Sequence, residues 1–308
     1  MNAEAWWKRR AGCARELLMA GFRQGLGKIS EPRLAAAAGD ILARPGSMIR
    51  AVVAYLIGIE MGMLEESARA MACGIEYLHT ASLVFDDLPA MDDARIRRGV
   101  PCTHVVHGEA MAMLASLALV NRGYTLLWQG MREAPASRRA EAGRLVDECL
   151  GVDGVIGGQA YDLAGWRGDQ DPAEVAEVAA RKTGALLRLT LVLPALCGRG
   201  NSRELQLLDR LALLRGLAYQ AADDLKDVIA CEPSSGKSGG RDAELGRPNL
   251  VAAEGQEAAL QRLRRLQETG DRVEAALPGP AGRWGMLALL RVAPPATGEG
   301  LSMSSAAV

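Results

Sequence analysis

Four carboxylates within eight residues, set at the end of an apolar helical run, constrain this chain more than any other feature. Residues 83–99 read LVFDDLPAMDDARIRRG, so Asp86, Asp87, Asp92 and Asp93 lead straight into Arg97 and Arg98. The preceding run, 75–85, is apolar at helical spacing. Like charges this close repel and raise one another's pKa values. A hard divalent cation removes the conflict. Mg²⁺ takes oxygen ligands, keeps several waters, and is commonly shared between carboxylates and substrate phosphates. The two arginines then read as bidentate phosphate partners. The competing reading is a solvated acidic turn with basic neighbours.

A second acidic cluster weakens that competing reading. Residues 219–227 read YQAADDLKD. Asp223 and Asp227 are four apart and share a helix face, while Asp224 points aside. The run before them, 211–222, is again apolar at helical spacing. Two such clusters facing each other across a helix bundle would hold a metal cluster with a diphosphate between them.

Five motifs in this order resemble the trans-isoprenyl diphosphate synthases, the polyprenyl synthetase family. Residues 86–92, DDLPAMD, are similar to the family's first aspartate-rich motif in its longer bacterial form. Arg97-Arg98-Gly99 is similar to the RRG that follows it, and residues 223–227, DDLKD, to the second motif. Lys182-Thr183-Gly184 matches the KTG between them, and Gly157-Gly158-Gln159 with Asp162 matches the GGQ-x-x-D helix. The resemblance runs from about residue 44 to 249.

It implies an all-α isoprenoid-synthase helical bundle around a large central cavity. It also implies three Mg²⁺ ions held by Asp86, Asp92 and Asp223, with Asp87, Asp224, Asp227 and Lys182 in the catalytic set. The implied substrates are isopentenyl diphosphate and an allylic diphosphate (dimethylallyl, geranyl or farnesyl). Residues 46–51, GSMIRA, stand where the family carries GK-x-x-R-P: Arg50 keeps the arginine, Ser47 replaces the lysine and Ala51 the proline. His79, in EYLHT, is either a core histidine or, as the resemblance implies, a partner of Arg50 and Arg98 in holding isopentenyl diphosphate. Arg97, Lys182 and Lys237 would neutralise the departing diphosphate. Ser47, Thr183, Gln220 and Arg247 complete the implied substrate-binding set. Lys237 lies in a polar, glycine-rich run, 233–242, that also reads as a plain loop. His104 and His107 read as packing or surface residues, because no acidic or cysteine partner has metal-ligand spacing.

Composition agrees with packed helices: 49% of residues are hydrophobic, yet only 4% are aromatic. Lysine plus arginine, 36, balances aspartate plus glutamate, 37, so no basic field invites nucleic acid. The six cysteines show no CxxC spacing and read as reduced thiols of a cytoplasmic protein. Trp6, Trp7, Lys8, Arg9 and Arg10 occupy the place where a leader's apolar core would begin. No stretch reads as long and uncharged enough to insert stably in a bilayer. Periodicity predicts helices over 3–24, 31–43, 47–63, 66–85, 103–131 and 136–165. It predicts another from the KTG to Leu196, and no β pattern with turn chemistry. The chain reads as one domain, 1–308, with a disordered tail from about 299. Apolar positions on more than one face of 103–131 predict a homodimer.

Product length is implied by the residues five and four before the first aspartate, here Ala81 and Ser82, both small. They leave room for a twenty-carbon chain, so the expected product is geranylgeranyl diphosphate. The DDLKD and Arg-Pro-Asn forms resemble the carotenoid-pathway type. A farnesyl diphosphate synthase is the alternative, as is a non-catalytic partner subunit of the same fold, for which Ser47 speaks and against which the two intact aspartate motifs speak. A class I terpene cyclase would carry an (N/D)DxxSxxxE motif, which the chain lacks.

Overall fold

Helix α1 (Ala3–Gln24) buries Trp7, Ala14, Leu18 and Phe22, one stripe at helical spacing. In this computed structural model the described residues are 3–166, 169–230 and 244–293. Lys237 with its glycine-rich run and the tail from 299 lie outside them. Helix α2 (Pro32–Ala43) begins at the expected proline, and the Glu31 carboxylate caps it by accepting from the Leu34 N–H at 2.6 Å. Helices α3 (Ile49–Glu60), α4 (Glu65–Asp86), α5 (Thr103–His107) and α6 (Glu109–Met131) follow. With residues 194–199 these elements make the first of two compact units.

The most extensive packing in this unit is α4 on α6. Small residues allow it. A Cβ on Gly74 would lie 2.9 Å from the Gly123 carbonyl oxygen, and one on Gly123 would lie 2.8 Å from Leu78 Cγ. At the far end a Cβ on Gly130 would lie 2.7 Å from Met71 Cβ. Helix α1 docks on α4 through Phe22, whose ring stacks on Tyr77 with centroids 4.8 Å apart. The buried Tyr77 hydroxyl donates to the Phe22 carbonyl at 2.5 Å.

By length and composition α6 is apolar enough to cross a bilayer, against the sequence expectation. Yet Leu119 and Leu127 are buried inside the unit, and Arg122 Nε donates to the Gly25 carbonyl at 2.7 Å. One side of α6 is therefore core. On the other, Met113, Leu114, Leu117 and Trp128 are exposed.

The second unit holds most of α7 (Ala136–Leu150), then α8 (Val155–Asp162), α9 (Pro172–Ala179), a π-helical turn (Ala180–Gly184) and α10 (Ala185–Cys197), whose last turn belongs to the first unit. Helices α11 (Ser202–Ala230), α12 (Leu250–Glu254) and α13 (Gln256–Ala275) complete it, with a 3₁₀ turn at Gly285–Leu290. Its core is small and aliphatic: Val175, Ala218, Ala221, Ala222, Leu225, Leu250, Ala259 and Leu263. Arg215, 2% exposed, pins α11 to α13 by donating to Asp271 at 2.7 Å and Glu274 at 3.0 Å.

The all-α expectation holds, with local differences. Residues 103–131 divide at Gly108, φ 81°, into α5 and α6. Residues 136–165 break at 151–154 into α7 and α8. The expected absence of strands fails at one place. Ile96–Arg97 and Val100–Pro101 pair antiparallel, Ile96 opposite Pro101, around Arg98 and Gly99. Both turn residues have positive φ, 54° and 77°, the combination a two-residue hairpin needs. Among the described residues Cys73, Cys102, Cys149 and Cys197 are buried free thiols and Cys13 is an exposed one.

Candidate active site

The first unit places the acidic run where α4 ends. Asp86 is the last residue of α4, and the chain turns back so that the Asp92 N–H donates to the Asp86 carbonyl at 2.9 Å. The Asp93 N–H donates to the Leu88 carbonyl at 3.0 Å, with Asp93 at φ 47°. Asp86 and Asp92 are half-buried, whereas Asp87 is 4% exposed. Asp87 is committed to Arg97: Nε lies 2.8 Å and the terminal nitrogen 2.7 Å from Asp87 Oδ1. Arg97 thus closes the acidic turn from within, and its first partner is protein rather than phosphate. Burial lowers its pKa, but the Asp87 carboxylate more than restores it.

Arg98 departs from Arg97 because the hairpin puts one arginine on a strand and the next in the turn. The Arg98 guanidinium lies over Gly46, where any Cβ would collide with it. Ser47 follows, and its carbonyl accepts from Arg15 Nε of α1 at 3.2 Å. Arg50, in the first turn of α3, has a terminal nitrogen 3.1 Å from His79 Nε2 on α4. Three elements therefore bring Arg50, His79 and Arg98 together. Burial pushes the His79 pKa well below its usual value, and Arg50, Arg98 and Arg97 push the same way. The imidazole is neutral, which lets it sit beside arginines without repulsion.

Ala81, 0% exposed, and half-buried Ser82 lie between His79 and the acidic turn, and Ser82 Oγ donates to the His79 carbonyl at 2.9 Å. His104 is buried, and His107 Nε2 lies 3.3 Å from Asp40.

The second unit assembles its own polar centre around the π-helical turn that carries KTG. Lys182 Nζ donates to Asp162 Oδ2 at 2.7 Å. Arg247, 8% exposed, donates to the Asp162 carbonyl at 3.2 Å. The GGQ helix approaches closely: a Cβ on Gly158 would lie 2.8 Å from Lys182 Cα. Gly216 of α11 does the same at 2.6 Å from Gly184 Cα. A relay then runs along α11: Thr183 Oγ1 donates to Gln220 Oε1 at 3.1 Å, and Gln220 Nε2 donates to Asp224 Oδ1 at 2.8 Å.

Asp224 does not merely point aside. It is 1% exposed, and its Oδ2 accepts the Leu250 N–H, the first of α12, at 2.8 Å. It anchors the chain beyond the second motif, so it stands as a structural carboxylate within the expected catalytic set. Asp223 is exposed and Asp227 half-buried. Asp162 was legible only as a motif letter, yet it orients both Lys182 and Arg247. Sequence reasoning also missed Asn249, which caps α12 by accepting from the Val251 and Ala252 N–H groups.

No group of three or more metal-ligating side chains converges among the described residues. The donor set nevertheless fits a hard ion: Asp86 and Asp92 offer only carboxylate oxygens across one turn. Such a pair leaves most of an octahedral shell to water and phosphate oxygens, the way Mg²⁺ is usually held.

A model of the polyprenyl synthetase family matches residues 31–276, and the chain belongs to that family. Geranylgeranyl pyrophosphate synthase 9 of Arabidopsis thaliana is 34% identical over 232 residues, which are 72% of this chain and 64% of that protein. The chain thus matches just under two thirds of that relative's length. Farnesyl diphosphate synthase of Escherichia coli is 37% identical over 224 residues, 72% of this chain and 75% of that one. Among solved structures, an FPP/GFPP synthase of Zymomonas mobilis has a TM-score of 0.79 at 25% identity, covering 92% of this chain and 98% of its own. A geranyltransferase of Helicobacter pylori, solved with magnesium and isoprenyl diphosphate, has a TM-score of 0.74 at 23% identity, covering 94% and 96%. At that identity it speaks for the fold alone.

Proposed function

We propose that the protein is a Mg²⁺-dependent prenyltransferase that joins isopentenyl diphosphate head-to-tail to an allylic diphosphate. The observation that carries the reading is the division of labour inside the first unit. Asp87–Arg97 closes the acidic turn on itself, while Arg50, His79 and Arg98 gather as a separate basic group. Two unlike phosphate sites on one scaffold suit a reaction with one departing and one retained diphosphate.

Asp86 and Asp92 would hold Mg²⁺ at the acidic turn, and the sequence resemblance implies that Asp223 completes a set of three ions. Metal held there would supply positive charge against the leaving diphosphate. In the second unit Lys182 donates to Asp162 at 2.7 Å, and the sequence resemblance implies that it would add a fixed positive charge to that task. Arg50, neutral His79 and Arg98 hold the diphosphate that is kept. The apolar surface of α4 excludes water, which would quench an allylic cation. Chain-length control falls to Ala81 and Ser82, whose small side chains favour geranylgeranyl over farnesyl diphosphate. A carotenoid-type pathway is the setting that the sequence resemblance favours. The same family includes relatives named for either product, so the residues at 81 and 82 carry this choice.

The exposed apolar stripe of α6 is assigned to a second copy of the chain. Met113, Leu114, Leu117 and Trp128 are exposed along α6, and Val106 on α5.

The test is radiolabelled isopentenyl diphosphate with each allylic primer in turn, followed by chain-length analysis. Wild type should give mainly the twenty-carbon product, and only with Mg²⁺. Ala81→Tyr should shift it to fifteen carbons. A ring at this buried position costs about 1–3 kcal/mol, which a large helical domain can tolerate. Soluble Ala81→Tyr that still makes the twenty-carbon chain would overturn the length assignment.

A further inference from the structure

Glu76 takes no part in the chemistry described so far. It stands on α4 three residues before His79, so the two side chains share a helix face. It is 3% exposed, and its Oε2 has no hydrogen-bond partner among the described residues. Burial raises its pKa, opposed by Arg50, by the Ala51 N–H donating to it, and by Arg98. A buried carboxylate with an unmet oxygen is costly, so its place in the core needs a reason.

The start of α3 supplies one. That helix has no side-chain cap of its own: its N-cap is Met48, at φ 60° and wholly buried. The first N–H groups of a helix need acceptors and carry the positive end of its dipole. Ala51 is the third residue of α3, the position an N-cap side chain ordinarily serves. Arg50 lies in the same turn, with its terminal nitrogen 3.1 Å from His79 Nε2.

We propose that Glu76 caps α3 from the neighbouring helix and so fixes Arg50 beside His79, making Glu76 a positioning residue for the diphosphate of isopentenyl diphosphate. This rests on the reading that Arg50 holds that group. Simple electrostatics predicts the opposite sign. Deleting a negative charge beside two arginines would tighten anion binding, whereas losing the cap loosens it.

Three variants separate the cases. Glu76→Gln keeps an acceptor for the Ala51 N–H. Glu76→Leu removes it. Glu76→Asp keeps the charge but withdraws it by one methylene. The Michaelis constant for isopentenyl diphosphate should rise about tenfold in Glu76→Leu, the scale of a lost cap. It should rise in Glu76→Asp as well, and should stay near wild type in Glu76→Gln. Turnover at saturation and the constant for the allylic substrate should hardly move. Calorimetry with inorganic pyrophosphate should show the same order of affinities. If Glu76→Leu does not fold, Glu76→Asp against Glu76→Gln decides.

Tighter or unchanged pyrophosphate binding in the two damaging variants would overturn the proposal, as would equal loss for both substrates. Wild type that turns over no prenyl pair would refute the proposed function instead. The pyrophosphate series would then still judge Glu76 by itself.

Discussion

Two adjacent aspartates of α11 divide exposure and anchoring between them. Asp223 is exposed, while Asp224 is buried and accepts from Gln220 and the Leu250 N–H. Asp223→Ala should lower turnover by orders of magnitude and leave the fold intact. Asp224→Ala should cost about 1–3 kcal/mol of stability, because it leaves the Leu250 N–H without its acceptor. Circular dichroism melts beside steady-state rates check both. His79 gives a pH dependence. Its pKa is held well below 6.5 by burial and by Arg50, Arg98 and Arg97, so the unfolded chain takes up this proton first. The stability it contributes is present above pH 6.5 and is lost as pH falls below it, by about 1.4 kcal/mol per pH unit. Glu76 acts oppositely. Its pKa is raised from 4.5, so its share is lost as pH climbs above that value. Urea unfolding across the acid range should show a shallower decline in His79→Asn than in wild type. An equal decline would remove His79 as its source. At this scale the sequence displayed the motif letters but not their burial. Asp223 and Asp224 are one position apart on a helix whose surroundings only the fold reveals.

At the scale of elements, periodicity located α1, α2 and α4 to within a residue or so, because each carries a sustained apolar stripe. The hairpin escaped notice. Its strands are two residues each, too short for an alternating pattern, and Arg98 is an unusual residue for positive φ. The π-helical turn at KTG was hidden for a related reason: five residues of altered pitch leave the hydrophobic pattern of α9 and α10 nearly continuous. The α4–α6 contact offers the sharpest test of packing. Gly123→Leu would drive a branched side chain into Leu78 and should cost at least about 1–3 kcal/mol. Thermal melting checks it; a variant as stable as wild type would show that the helices can separate.

For the whole molecule, the open question is what covers α6. Trp128 is 59% and Leu117 55% exposed, on a helix whose other side is core. A second copy packed on this stripe predicts that sedimentation finds a dimer at micromolar concentration. Leu117→Asp with Trp128→Arg should yield a monomer. A wild-type monomer would end the assignment. The sequence signalled this surface for the same reason that it mimics a membrane span. Composition cannot tell lipid, core and a partner's surface apart, because all three are apolar.

The Arg98-Gly99 turn makes the interval within the hairpin a form of punctuation. One arginine is read into the acidic turn at Asp87 and the next over Gly46, because a strand ends between them. The approach to the hairpin is itself tied down, by the Asp93 N–H on the Leu88 carbonyl, the Ala94 N–H on the Asp87 carbonyl and the Cys102 N–H on the Arg95 carbonyl. A single residue added inside 96–101 would shift the frame, put a different side chain at each address, and mute both without removing either charge. The doubled arginine is therefore spelling rather than emphasis, and chains that diverge from this one should keep their length within the hairpin.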